Sequence, residues 1–202
     1  MAGFDDNLVR EYFELNGFFT RTSAKPAGSA RTRRAEEPGD LLVLNPSPRA
    51  GLTPGFQLFG ADLAGLGSAV IAIKGLTASK ALTPAMLRRG DFLEFIRKEA
   101  TVAAKEAFAE IPEPAEARPA RVLVLPGLPA QEPPRSESIA LLRDRGVDHV
   151  LTFRTILENL IQAAEAGAAS PRSDTLQLLR LLRAYDMVNA AQLELFGQPP
   201  FK

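Results

Sequence analysis

Hydrophobic residues recur along this chain with two different spacings, which predict helices in some segments and strands in others. Leu8, Val9, Tyr12 and Phe13 lie at helical spacing and predict an opening helix, which an Asn-Gly pair ends. Short apolar or aromatic runs are typical of strands, and a strand buried on both faces needs no polar side. Runs of this kind occupy residues 18–22, 40–44, 69–75, 121–125 and 147–152.

The segments between and after these runs have helical patterns. Thr83-Pro84 is typical of a helix start, and the apolar positions that follow predict a helix to about Phe108. Ser136 is a candidate cap for a helix that ends near Asp144. The resulting order is α-β-β-β-α-β-α-β-α-α, which indicates an α/β fold whose sheet is covered by helices on both faces. The last two helices of this order are predicted over about 153–167 and 173–189.

Composition narrows the class of protein. The 202 residues, 46% of them hydrophobic and 24% charged, fit a single globular domain over 1–202. Within it we expect a core over 4–152 and a C-terminal helical extension over 153–202. The absence of cysteine excludes disulfide frameworks, cysteine nucleophiles and thiolate zinc sites. A zero net charge argues against a protein that coats nucleic acid. With no signal peptide and no long apolar run, the chain is predicted to be cytoplasmic.

Two short motifs give the chain a family resemblance. Asp40, in Pro38-Gly39-Asp40, begins the second predicted strand, and Ile71-Ala72-Ile73-Lys74-Gly75 lies on the third. Together with the α-β-β-β-α-β order over about residues 4–126, they resemble the PD-(D/E)XK (restriction-endonuclease-like) superfamily. That family has an acid at the start of the second core strand and (D/E)-X-K on the third. The resemblance implies a restriction-endonuclease-like core with a mixed central sheet flanked by helices, followed here by extra C-terminal helices.

The resemblance also implies an activity, the metal-dependent hydrolysis of phosphodiester bonds in nucleic acid. In the family, carboxylates hold Mg²⁺ or Mn²⁺, and the lysine orients or activates a bound water. Asp40 matches the first acid and Lys74 the lysine, but Ala72 stands where the second acid is expected. Glu11 on the opening helix is our preferred substitute ligand. Other substitutes are Glu14, Glu36, Glu37 and Asp62.

Each of these residues also has a purely structural interpretation. In this interpretation Asp40 pairs with Lys74 across neighbouring strands. Glu11 lies on the solvated side of an amphipathic helix. The alternative to an enzyme, which Ala72 directly supports, is a catalytically inactive pseudonuclease that binds nucleic acid or protein. The single histidine, His149, follows Asp148 at a strand start, where a capping or solvated role is expected.

Two surfaces are candidates for partners. The segment 18–35 contains five cationic residues and no acid, which suits contact with a phosphate backbone and equally a solvated loop. The leucine-dense run from Leu176 to Leu182 exceeds what a core needs and predicts a homodimer through the C-terminal helices. The predicted nucleic-acid-binding residues are Arg21, Arg31, Arg33 and Arg34.

Overall fold

A computed structural model describes residues 3–22, 41–73, 83–88, 118–167 and 173–187. The chain divides into two compact units, Met1–Asn159 and Leu160–Lys202. The elements, in chain order, are α1 Phe4–Leu15, β1 Phe19–Thr22, β2 Leu41–Leu44, a 3-10 helix Gly60–Gly65, β3 Ser68–Ile73, α2 Pro84–Arg88, β4 Ala120–Leu125, α3 Pro134–Asp144, β5 His149–Thr152, α4 Phe153–Glu165 and α5 Asp174–Ala184.

The five strands form one mixed sheet in the order β1-β2-β3-β4-β5. The pairs β1–β2 and β2–β3 are antiparallel, and the pairs β3–β4 and β4–β5 are parallel. In this register Leu41 lies opposite Ile71, and Ala72 lies opposite Leu123. The expected α/β class with a mixed sheet flanked by helices is therefore confirmed.

Helices cover both faces of the sheet. On one face, Ala72, Leu123 and Val150 form an aliphatic cluster with Leu87 of α2 and Leu142 of α3, and we call this the α2–α3 face. The other face carries α1. Side chains alternate along a strand, and both threonines of β1, which point away from the α2–α3 face, bond to α1. These bonds run from Arg10 to Thr22 and from Thr20 to Glu14.

The sequence around α1 explains how this helix is placed against β1. The Asp6 carboxylate accepts the Gly3 N–H at 2.8 Å, which satisfies a free donor where the helix begins. Four apolar side chains at helical spacing are then buried against the sheet. Gly17, with φ of +84°, adopts the left-handed conformation that ends the helix. The Phe18 N–H donates to the Phe13 carbonyl at 3.0 Å and turns the chain directly into β1. The four buried residues are Leu8, Val9, Tyr12 and Phe13.

The two outer strands have different surroundings. Beyond β5, Val150 exchanges backbone hydrogen bonds with Phe56 and Leu58 at 2.7 and 2.8 Å, so an extended segment covers that edge. The guanidinium of Arg143 lies 4.6 Å from the centre of the Phe56 ring and holds the segment against α3. Within the described ranges, β1 is paired on one side only.

The start of α3 differs from the sequence prediction. The helix α3 begins at Pro134, two residues before Ser136, because Glu132 supplies the acceptor at this end. Hydrogen bonds from the Ser136 hydroxyl and N–H lower the pKa of that exposed carboxyl. Of the helix predicted to reach Phe108, only Pro84–Arg88 lies within the described residues.

The second unit contains α5, whose predicted cap is confirmed. The Ser173 hydroxyl accepts the Leu176 N–H at 2.9 Å. Leu176 is buried, while an ion pair between Arg183 and Glu165 links α5 to the end of α4. Among the helices that the structure describes, none has the length and apolar character needed to cross a membrane.

Candidate functional site

The motif residues border one end of the sheet. Because β2 and β3 are antiparallel, the start of β2 at Leu41 lies beside the last residues of β3, and Thr22 of β1 is paired with Leu41. We call this the motif end, defined by Thr22, Leu41 and Ile73. In the sequence Asp40 directly precedes Leu41, and Lys74 directly follows Ile73. Asp40 and Lys74 themselves lie outside the described residues.

Ala72, at the position of the missing acid, is part of the core. It is 4% exposed and belongs to the aliphatic cluster with Leu87, Leu123 and Leu142. A carboxylate in these surroundings would lose its hydration without gaining a polar partner. The structure therefore gives this position an aliphatic environment rather than that of a metal ligand.

Glu11 lies on α1, on the opposite side of the sheet from Ala72. Its side chain is partly buried, and its Oε1 atom is buried with no hydrogen-bond partner among the described residues. A carboxylate there can approach the α2–α3 face only around the strand ends. Two neighbours on α1 also carry a buried polar atom without such a partner, namely Arg10 at Nε and Tyr12 at its hydroxyl.

The other substitute acids are occupied elsewhere or lie outside the described residues. Glu14 is exposed and accepts a hydrogen bond of 2.5 Å from Thr20. Asp62 accepts the Phe59 N–H at 2.8 Å, on the 3-10 helix that leads into the start of β3. Asp62 is therefore at the opposite end of β3 from the motif end. Glu36 and Glu37 fall outside the described part of the chain.

Of the four predicted nucleic-acid-binding arginines, only Arg21 can be placed. Arg31, Arg33 and Arg34 lie outside the described residues. Arg21 is exposed on β1, opposite Leu42. It makes no ion pair within the described ranges.

Phe19, two residues before Arg21, was not among the predicted site residues. It is 66% exposed on the same strand. The sequence does contain a signal for this pair. Residues i and i+2 of a strand share a face, so an aromatic and a cationic residue at this spacing lie side by side. The sequence alone did not distinguish Phe19 from its neighbour Phe18, which is buried.

A charged network at the opposite end of the sheet explains His149 and its neighbour. Asp148 accepts hydrogen bonds from the backbone and side chain of Arg121 at 2.8 and 3.1 Å, and from Arg118 at 2.7 Å. Partial burial raises the pKa of Asp148, but these hydrogen bonds outweigh it and hold the pKa below its usual value. A nitrogen of His149, Nδ1, lies 2.8 Å from the Gly55 carbonyl oxygen. These contacts join β4, β5 and the covering segment.

The predicted magnesium site cannot be assembled from the described residues, because its first ligand, Asp40, lies outside them. Mg²⁺ prefers several oxygen ligands in an octahedron. The described ranges contain no group of three or more His, Cys, Asp or Glu side chains arranged to hold a metal. Position 72 is aliphatic, and Glu11 lies on the other face of the sheet.

No protein-family model, curated protein or solved structure matches this chain. The α/β class with a mixed sheet therefore rests on the structure, and the superfamily resemblance on the motifs and the order of elements.

Proposed function

We propose that this chain is a nuclease-fold protein that binds nucleic acid at the motif end and has lost metal-dependent cleavage. The observation that carries the proposal is the buried, aliphatic position of Ala72. A hydrolytic site of the family pattern needs an acid there, because one carboxylate holds a divalent cation poorly without a second.

The topology supports the nuclease-like framework. The first three strands pair antiparallel in chain order, and the fourth joins the third in parallel after the segment that contains α2. This arrangement agrees with an α-β-β-β-α-β core. The motif end then gathers the strand termini that adjoin Asp40 and Lys74.

Charge supports nucleic acid as the ligand. The segment that joins β1 to β2 contains Lys25, Arg31, Arg33 and Arg34 in the sequence, and Arg21 lies on β1 itself. Both ends of this segment attach at the motif end, since Thr22 is paired with Leu41. Cations in a segment whose two ends meet at the motif end suit a phosphate backbone, and the acids of this segment follow them in the sequence at Glu36, Glu37 and Asp40.

Hydrolysis is the second candidate function, and one observation favours it. The buried Oε1 atom of Glu11 has no partner within the described residues, although a buried carboxylate oxygen normally has one. A ligand or a nearby cation would satisfy it. The experiment below therefore measures cleavage as well as binding.

The test uses labelled single-stranded and double-stranded DNA and RNA with the full-length protein. We expect the protein to bind, with a logarithm of the binding constant that falls linearly with the logarithm of salt concentration. We expect no cleavage in Mg²⁺ or Mn²⁺. Replacing Arg31, Arg33 and Arg34 together by Gln should lower the slope by about 2 to 3, at roughly 0.7–0.9 per lost phosphate contact. Arg154→Gln is the matched control, because Arg154 is an exposed arginine already paired with Glu158.

The outcomes separate the two candidates. Cleavage by the wild type that is lost in Asp40→Ala and in Glu11→Gln, with each variant purified identically, would establish hydrolysis. Absence of binding to all four nucleic acids at low salt would reject the proposed function.

A further inference from the structure

We infer that β1 is a stacking surface for single-stranded nucleic acid, in which the Phe19 ring binds an unpaired base and Arg21 binds an adjacent phosphate. The inference rests on the proposed function and names the substrate class that it leaves open.

The geometry of β1 places the two side chains together. Residues i and i+2 of a strand lie about 6.8 Å apart and point to the same face. Phe19 is paired with Leu44 and Arg21 with Leu42, so both belong to the α2–α3 face of the sheet. The intervening Thr20 points to the other face, where it bonds to Glu14.

The consecutive residues Phe18 and Phe19 differ sharply in exposure. Phe18 is 4% exposed and packs edge-to-face on Phe13, with ring centroids 5.3 Å apart. Phe19, the next residue, is 66% exposed. An exposed aromatic ring on a sheet is unfavourable in water. Beside an exposed arginine, it is the combination that binds a base and a phosphate.

The outer position of β1 favours a single strand as the ligand. Within the described residues, β1 is an outer strand with no strand beyond it. A ring can stack only on a base whose face is free, and duplex bases are already stacked on their neighbours. Such stacking is tolerant of base identity, since every base has a π-face.

The experiment compares Phe19→Leu with Phe4→Leu, each in the full-length protein. Phe4 is an equally exposed phenylalanine, at 67%, but it lies at the start of α1. The probe is an oligothymidylate with one 2-aminopurine, whose fluorescence falls when the base stacks, and a duplex of equal length is the second ligand. Equal melting temperatures would show that both variants fold.

We expect Phe19→Leu to weaken single-strand binding by about 5- to 100-fold, in line with the loss of one stacked base. It should also abolish the quenching of 2-aminopurine, with much less effect on any duplex binding. Phe4→Leu should bind as the wild type does. Arg21→Gln should lower the salt slope for single strands by about 0.7.

Three results would overturn the inference. Equal single-strand binding by Phe19→Leu and wild type would remove the stacking role, and the proposed function would stand. Failure of the wild type to bind any nucleic acid would remove both. A wild-type dimer that Phe19→Leu converts to a monomer, with unchanged nucleic-acid binding, would assign β1 to pairing with a second copy.

Discussion

Ala72 and Leu123 lie directly opposite each other in the parallel ladder between β3 and β4, and both side chains are buried on the α2–α3 face. Restoring the family acid with Ala72→Asp should therefore destabilise the protein instead of creating an enzyme. We expect the free energy of unfolding to fall by about 3–5 kcal/mol at pH 7, because the carboxylate would be buried without a partner. Urea denaturation followed by circular dichroism measures the loss.

The control is Ala72→Asn, which adds a side chain of the same size without the charge. Its expected cost is smaller, about 1–3 kcal/mol, from an unpaired buried amide and the added volume. The aliphatic environment would be contradicted by an Ala72→Asp variant that is as stable as the wild type. Magnesium-dependent cleavage by that variant would show that the wild-type metal site lacks only the acid at position 72.

The Tyr12 hydroxyl gives a second prediction. The side chain is fully buried, packs edge-to-face on Phe13, and has no hydrogen-bond partner for its hydroxyl within the described residues. Tyr12→Phe keeps the ring and removes an unsatisfied polar group. We expect the free energy of unfolding to stay the same or rise by up to about 1 kcal/mol. A destabilised Tyr12→Phe would instead reveal a partner for the hydroxyl.

The same tyrosine predicts how stability responds to alkaline pH. Burial first, and the negative charge of Asp62 second, raise the pKa of Tyr12 above its usual value. With a folded pKa above the unfolded value of about 10, its contribution is complete below pH 10 and is lost as the pH rises further. Tyr12→Phe should therefore unfold at higher pH than the wild type, by circular dichroism between pH 8 and 12. Identical alkaline transitions would contradict this account.

Local patterns predicted most of the elements. The spacing of Leu8, Val9, Tyr12 and Phe13 is sufficient for α1, because one helical face must be buried. The strands followed from short apolar runs, and the cap at Ser173 followed from the preference of its hydroxyl for a free N–H. These features depend only on residues close together in the chain, so one sequence is enough to predict them.

Features that depend on distant contacts were not predictable. The sequence shows that Ala72 replaces an acid, but its aliphatic surroundings come from α2, α3 and β4, which are distant in the chain. Phe18 and Phe19 are chemically identical, and only the direction of the turn after α1 decides which one is buried. The cover on β5 by Phe56 and Leu58 likewise lacks any apolar run. Tertiary packing determines these positions, and a local pattern does not record it.

Asp148 provides a prediction at acid pH. Its pKa is depressed because hydrogen bonds from Arg121 and Arg118 outweigh its partial burial. The stabilisation is therefore present above the unfolded pKa of about 3.9 and is lost as the pH falls through the folded value. Asp148→Asn should cost about 1–2 kcal/mol at pH 7, reduced by salt, and progressively less below pH 4. Glu158→Gln, which breaks the exposed pair with Arg154, should cost no more than about 0.5 kcal/mol at any pH.

The measurement for this pair of variants is urea denaturation at pH 3, 5 and 7. A cost of Asp148→Asn that is constant across this range would show that the carboxylate charge contributes nothing. A cost equal to that of Glu158→Gln would make the network at the ends of β4 and β5 no stronger than an ordinary surface pair.

The exposed side of α5 is the surface on which the expected homodimer can be tested. Leu178 and Leu181 are 50% and 54% exposed, and with Tyr185 they follow the i, i+3, i+7 spacing of one helical stripe. Asp174 begins the same stripe one turn earlier. We propose that two copies pair their α5 helices antiparallel, because Tyr185 of one copy then lies opposite Asp174 of the other and can donate its hydroxyl hydrogen to the carboxylate.

Leu181→Glu should convert this dimer to a monomer, since it places a carboxylate at the centre of the apolar stripe in each copy. Leu52→Glu is the matched control, because Leu52 is 45% exposed in a loop of the first unit and should leave the dimer intact. Multi-angle light scattering across a tenfold range of concentration measures the mass. A wild type that is monomeric at the highest concentration, or a Leu181→Glu variant that remains dimeric, would assign the leucine stripe to some other contact.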